Sequence, residues 1–125
     1  CQTCGQRNPV EASFELFKQT RQPPLCDCGG FLKPATISFG QNLREAVLQR
    51  AFSAAAACDL VIALGSTLSV SPANTIPLAA AQAGVSYIII NRDETDHDRM
   101  SQVTLRLSGN VEEIFPPAVE KALAG

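Results

Sequence analysis

Four of the five cysteines fall within the first 28 residues, as Cys1-x-x-Cys4 and Cys26-x-Cys28. Thiolates one or two residues apart can turn inward on one loop, and two such pairs supply the four ligands of a tetrahedral zinc. Gly5, Gly29 and Gly30 follow the pairs directly; glycine permits the tight turns that aim backbone amides at sulfur. Four thiolates leave no open coordination position, so such a site is structural and performs no chemistry. Two disulfides, or a redox-active pair at Cys1 and Cys4, would use the same residues. The presence of two pairs and the lack of a thioredoxin-like context favour zinc. Cys58, at the end of an alanine-rich stretch, reads as a small buried apolar residue.

Two polar clusters further along offer different chemistry. In "GSTLSVSPAN", Gly65 allows a ligand to approach the backbone, while Ser66 and Thr67 present hydroxyls. Ser71-Pro72 has the form of a helix start, with the hydroxyl as cap and proline in the first turn. In "NRDETDHD", Asn91 is the first polar residue after an apolar run, a place from which a side chain can hold ribose hydroxyls. An ordinary capped turn and a solvated turn are the plain alternatives for these two stretches. His97, the one histidine, lies between Asp96 and Asp98. In so acidic a loop it is expected to face solvent rather than act as a base.

The elements that must position these groups follow from composition and period. The chain has 125 residues, 46% of them hydrophobic, enough for a folded core in one domain or part of one. A formal charge of −2 and few lysines argue against a nucleic-acid or anionic-membrane surface. No stretch is long and apolar enough for a membrane span and no signal-peptide pattern is visible, so the expected location is cytoplasmic. Composition changes near Phe39, which divides the chain into a four-cysteine lobe at 1–38 and an alanine-rich and β-branched part at 39–125.

In the second part, Leu43, Ala46, Val47, Ala51 and Ala54 recur at helical spacing, which predicts a helix over 42–57. "LVIAL" at 60–64 and "YIII" at 87–90 are continuous apolar runs suited to strands covered on both faces. Between them "PLAAAQAG" predicts a helix ended by Gly84. "TLRL" at 104–107 predicts a third strand at an edge. Asn110 and Glu113 have the spacing of a capping box, before a short helix broken at Pro116 and Pro117. Apolar strands joined by crossovers this long are parallel. The fold class is therefore α/β: a partial Rossmann-like parallel sheet with a small N-terminal zinc lobe. The phosphate fingerprint G-x-G-x-x-G is absent from these residues. In "LKPATISFGQNL", Ile37 and Phe39 alternate on one side of a possible extended segment that Gly40 ends. Such a segment is either a site of strand addition for a peptide or an apolar hinge.

The ordered set of two cysteine pairs, "CGGFLKPATISFGQNL", "ACDLVIALGSTLSVSPANTIPLAA" and "IIIN" resembles the C-terminal half of a sirtuin. Sirtuins are NAD-dependent protein lysine deacylases of the Sir2 family. The resemblance runs from Cys1 to about Val111. It implies that Cys1, Cys4, Cys26 and Cys28 hold a structural zinc in a lobe inserted into a Rossmann-type domain. It further implies that an acyl-lysine peptide lies as a strand in a cleft, between Ile37, Phe39 and Gly40 on one side and Leu68, Ser69 and Val70 on the other. NAD would be held by Gly65, Ser66, Thr67 and Asn91, with its adenine near Asn110 and Val111. The family pattern has Thr-Ser where this chain has Ser66-Thr67, and commonly glutamate in place of Gln41.

In the family, the glycine-rich NAD loop, a Gln-Asn-x-Asp segment and the catalytic histidine precede the first cysteine pair. These 125 residues contain none of them. The resemblance therefore implies a deacylase whose present stretch does not deacylate alone, and whose open sheet edge pairs with the remaining half or with a second copy. A non-catalytic zinc-containing module that binds a peptide or a nucleotide is the competing reading, and a thiol redox protein a third.

Overall fold

The "LVIAL" and "YIII" runs become neighbouring parallel strands in a computed structural model that describes residues 1–125. Strand β1 is Leu60–Leu64, β2 Ser86–Asn91 and β3 Leu105–Ser108, and they form a parallel sheet in the order β1-β2-β3. The register sets Leu60 beside Ser86 and Leu64 beside Ile90. On the other side Ile88 lies beside Leu105, and Asn91 beside Ser108. The third strand is at an edge, as its alternating pattern indicates, and β1 forms the other edge.

Four helices complete the chain: α1 (Val10–Thr20), α2 (Glu45–Ala57), α3 (Thr75–Gln82) and α4 (Val111–Ala124). The chain divides into two compact units, Cys1–Asn42 and Leu43–Gly125. The first holds α1 and a turn closed by the antiparallel bridge between Leu25 and Phe31. Helix α1 ends at Arg21, whose left-handed backbone lets its N–H bond Phe17 O at 2.8 Å.

In the second unit α3 packs on β1 and β2, α2 packs against α3, and α4 touches β2. Side chains alternate across a strand, and the core follows that rule. Tyr87 and Ile89 are fully buried with Leu68, among Val61, Ala63, Leu78, Ala81 and Val103. Ile90 on the opposite face is also buried. Both faces of β2 are thus covered, which is why its sequence is a continuous apolar run. No helix is long and apolar enough to cross a membrane.

Three local expectations are corrected. Ser71-Pro72 does not start a helix: that peptide is cis, residues 71–74 form a turn, and α3 begins at Thr75. Pro116 and Pro117 do not break the last helix, which runs unbroken for 14 residues around them. They sit in its second turn, where only the carbonyls of Glu112 and Glu113 lose a partner. Those two residues are exposed, so water can satisfy them. Asn110 does not make a capping box either, because its Nδ2 donates to the Glu113 side chain at 3.0 Å rather than its side chain bonding a backbone amide.

His97 is the largest correction. It is 1% exposed, and its Nδ1 lies 3.0 Å from the hydroxyl of fully buried Tyr87. A buried tyrosine hydroxyl needs a partner, and this imidazole supplies it. The neighbouring acids that made the loop look solvated turn elsewhere, Asp98 toward Arg106 at 2.8 Å.

Candidate functional site

In the first unit the two cysteine pairs converge. Cys1 Sγ lies 3.6 Å from Cys28 Sγ, and Cys4 Sγ 3.8 Å from Cys26 Sγ. All four sulfurs fall within 4.8 Å of one another. A disulfide would bring a pair to about 2.05 Å, and every cysteine is free. Zinc–thiolate bonds of about 2.3 Å in a tetrahedron put sulfurs about 3.8 Å apart. The four donors therefore fit one zinc ion without moving far.

Local backbone explains the convergence. Cys26 N bonds Gly30 O and Gly29 N bonds Cys26 O, each at 2.8 Å, which folds the C-x-C pair over a tight turn. Gly29 takes φ +79° there. The amides of Thr3 and Cys4 point at Cys1 Sγ at 3.3 and 3.4 Å. The backbone of Cys28 holds the Cys26 thiol below its ordinary pKa despite burial, with help from Cys4, Cys28 and Asn8 side chains. Cys58 joins no cluster and donates to Ala55 O at 3.3 Å.

In the second unit a cleft of about 340 Å³ opens beyond the carboxyl ends of the strands. It is lined by Gly65 and Thr67 after β1, Asn91 at the end of β2 with Arg92 and Asp93 after it, and Gly109, Asn110 and Val111 after β3. That position is where open parallel sheets take ligands. Gly65 has φ +61° and bonds Ile90 O, so the backbone turns sharply across the end of β2. The α4 N-terminus reaches the cleft at Val111. The amides of Glu113 and Ile114 turn back to Asn110 O. Those of Val111 and Glu112 have no intrahelical partner, so they contribute positive potential, partly offset by the first-turn carboxylates of Glu112 and Glu113.

Asn91, buried in the cleft wall, donates its Nδ2 to Asp93 O at 2.9 Å, which leaves Oδ1 free to accept. Two loops wall the site, and Asp96 N ties the second to the first through Thr67 O at 3.0 Å. Beneath them, burial holds His97 below its ordinary pKa, although Asp96 and Asp98 pull the other way. Burial and the Asp98 charge push Tyr87 up to about 12.

Of the residues that the resemblance assigned to a cofactor, Gly65, Thr67, Asn91, Asn110 and Val111 share this cleft. Ser66 does not line it; its hydroxyl accepts the Leu68 amide at 3.1 Å. Arg92, Asp93 and Gly109 line it without having been singled out. Among the residues assigned to a peptide, Ile37, Phe39 and Gly40 lie in the first unit with no strand assigned. Gly40 sits in a turn where Gln41 N bonds Ser38 O, and Phe39 is 92% exposed. In the second unit Leu68 is buried in the core at φ +57°. Its amide is taken by Ser66 and its carbonyl by Asn74 Nδ2. Ser69 and Val70 stay exposed, with Ser69 Oγ 2.8 Å from Thr67 Oγ1.

A family model for the Sir2 family matches residues 1–72, more than half of the chain. The chain belongs to the Sir2 family. An NAD-dependent protein deacetylase of Oceanobacillus iheyensis is 41% identical over 105 residues, which cover 84% of this chain and 42% of that protein. One from Haloarcula marismortui is 34% identical over 122 residues, 97% of this chain and 46% of that protein. Among solved structures, Sir2 with a p53 peptide and NAD+ superposes with a TM-score of 0.83 at 30% identity, covering the whole of this chain and 51% of that one. This Sir2 chain thus spans about half the length of the relatives it matches.

Proposed function

We propose that this chain is the zinc-bearing and dinucleotide-binding part of an NAD-dependent protein lysine deacylase. The observation that carries the reading is the cleft beyond the strand ends, lined by Gly65, Thr67, Asn91, Asn110 and Val111 in a chain of the Sir2 family. Relatives named NAD-dependent protein deacetylase and a Sir2 structure with a p53 peptide and NAD+ support the same assignment. Bound NAD supplies the ADP-ribose that accepts the acyl group as nicotinamide departs.

The residues of this chain bind and orient. Gly65, lacking a side chain, lets the dinucleotide backbone approach the end of β1, where an added Cβ would meet only Val111 Cγ2 at 3.6 Å. Asn91 Oδ1 would accept from a ribose hydroxyl, and Thr67 would offer a further polar group. Asn110 and Val111 would border the adenine. Cys1, Cys4, Cys26 and Cys28 would hold zinc as a closed structural site. An acyl-lysine peptide is the proposed substrate class; Ile37, Phe39 and Gly40 in the first unit, and separately Ser69 and Val70 in the second, lie exposed, as strand addition requires. Leu68 supports that stretch from the core.

The catalytic histidine that the family resemblance places before the first cysteine pair is not among these 125 residues. His97, the one histidine, is buried against Tyr87. The loss of a positioned base costs about 10²–10⁴-fold in rate. A polypeptide of these 125 residues is therefore proposed to bind ADP-ribose without turning over. Nicotinamide release from NAD and an acetyl-lysine peptide, measured for the full-length protein and for this stretch alone, tests both halves of the reading. Activity in the first and none in the second is expected. A full-length protein that releases no nicotinamide, yet binds peptide or nucleotide by calorimetry, would make the chain part of a binding module instead.

A further inference from the structure

Arg106 is the second residue of the edge strand β3, between Leu105 and Leu107 and beside Ile89 of β2. Its guanidinium is largely enclosed, with a side chain 18% exposed against 20% for Asp98. Nε donates to Asp98 Oδ1 at 2.8 Å. Nη1 donates to Asn91 O at 2.9 Å and to Leu107 O. Nη2 donates to Asp93 O at 2.7 Å. The fork thus grips both ends of the turn Asn91-Arg92-Asp93, all three residues of which line the cleft.

Other bonds extend the grip. Asp98 also accepts from the amide and hydroxyl of Thr95. Burial alone would push the Asp98 carboxyl up, but the hydrogen bonds from Thr95 and Arg106 outweigh it and hold it below the ordinary value. Gly109 N adds a second donor to Asn91 O at 3.2 Å. Arg106 itself does not line the cleft. Its bonds run to the backbone behind the wall.

We infer that Arg106 is a positioning residue for the dinucleotide: it fixes the Asn91–Asp93 wall so that Asn91 presents its acceptor to the ribose. The inference rests on the cofactor reading of the cleft given above. Without the guanidinium, the Asn91 and Asp93 carbonyls lose a charged donor and Asp98 loses its counter-charge. The turn is then free to swing, and ligand binding must supply the ordering that Arg106 now provides. Lysine cannot replace it. A compact ammonium pairs with Asp98 but cannot span acceptors on four residues.

Calorimetric titration of the full-length protein with ADP-ribose tests the role, alongside Arg106→Met, Arg106→Lys and Asp98→Asn. Arg106→Met is expected to weaken ADP-ribose binding by about tenfold or more, the equivalent of one or two charged hydrogen bonds. Arg106→Lys and Asp98→Asn should fall between it and the parent. The KM for NAD should rise while the KM for an acetyl-lysine peptide stays put, a split that a general loss of folded protein would not produce. Should Arg106→Met not fold, the two milder variants carry the same comparison. Folded variants that bind ADP-ribose as tightly as the parent overturn the role of Arg106. A parent protein that binds no ADP-ribose overturns the cofactor reading, and the inference with it.

Discussion

A Cβ on Gly30 would lie 2.5 Å from Thr3 Oγ1 and 2.7 Å from Cys1 Sγ, closer than real carbon atoms approach. Only glycine lets the C-x-C turn sit under the first cysteine pair. Gly30→Ala is therefore expected to push Cys1 off its corner of the tetrahedron and to lower zinc affinity by about 10–100-fold, as the loss of groups just behind a metal's ligands does. Competition of the folded protein with a chromogenic chelator would show it, and unchanged zinc retention would refute the close approach. At the other residue of note, His97, the sign follows from burial. The folded chain disfavours a proton on His97 that the unfolded chain accepts near 6.5. Its contribution to stability is whole above that pH and is lost as pH falls below it. Tyr87, pushed up to about 12 from 10, acts in the opposite direction and costs stability as pH rises past 10. The thermal midpoint should thus fall between pH 7 and 5, and His97→Gln, which cannot be charged, should flatten part of that fall. A slope identical in the variant would mean that other groups carry it.

Among the elements, the buried strands were the most legible. "YIII" is apolar throughout because both faces of β2 are covered, whereas "LVIAL", read the same way, forms an edge strand whose residues are half-buried or exposed. Ile89, fully buried between Tyr87 and Leu68 in the core cluster, should cost about 2–5 kcal/mol on truncation to alanine. Chemical denaturation would measure it, and a loss near zero would mean the cluster collapses to fill the gap. The cysteine pairs were legible for a related reason: ligand spacing is a local property of the chain. What escaped depends on partners distant in sequence. His97 is buried because Tyr87, ten residues earlier, needs a partner. Arg106 was hidden in a strand pattern, although an arginine inside an apolar strand demands acids somewhere, and "NRDETDHD" held them. Arg92 and Asp93 reach the cleft through a turn that Arg106 grips, and Gly109 through its own amide bond to Asn91 O.

On the scale of the whole molecule, β1 is an edge strand with Leu60 and Leu64 partly open to solvent, 44% and 37% exposed. Its outer backbone groups have no partner strand in the sheet, and such an edge templates further pairing. A polypeptide restricted to these 125 residues is then expected to associate with itself. Sedimentation velocity should show a mass that grows with concentration, whereas a monomer throughout the range would remove the edge as a pairing site. The same cut would leave the zinc cluster and the strand-end cleft intact, since each is assembled from residues of one compact unit.

The adjacent prolines in α4 bear on how that helix comes apart. Helices melt from their ends because each hydrogen bond holds the next in place. Pro116 and Pro117 remove two successive bonds, so unwinding that begins at Ala124 reaches a gap before it reaches Val111. The pair acts as a firebreak: the C-terminal turns can fray while the turn that borders the cleft keeps its shape.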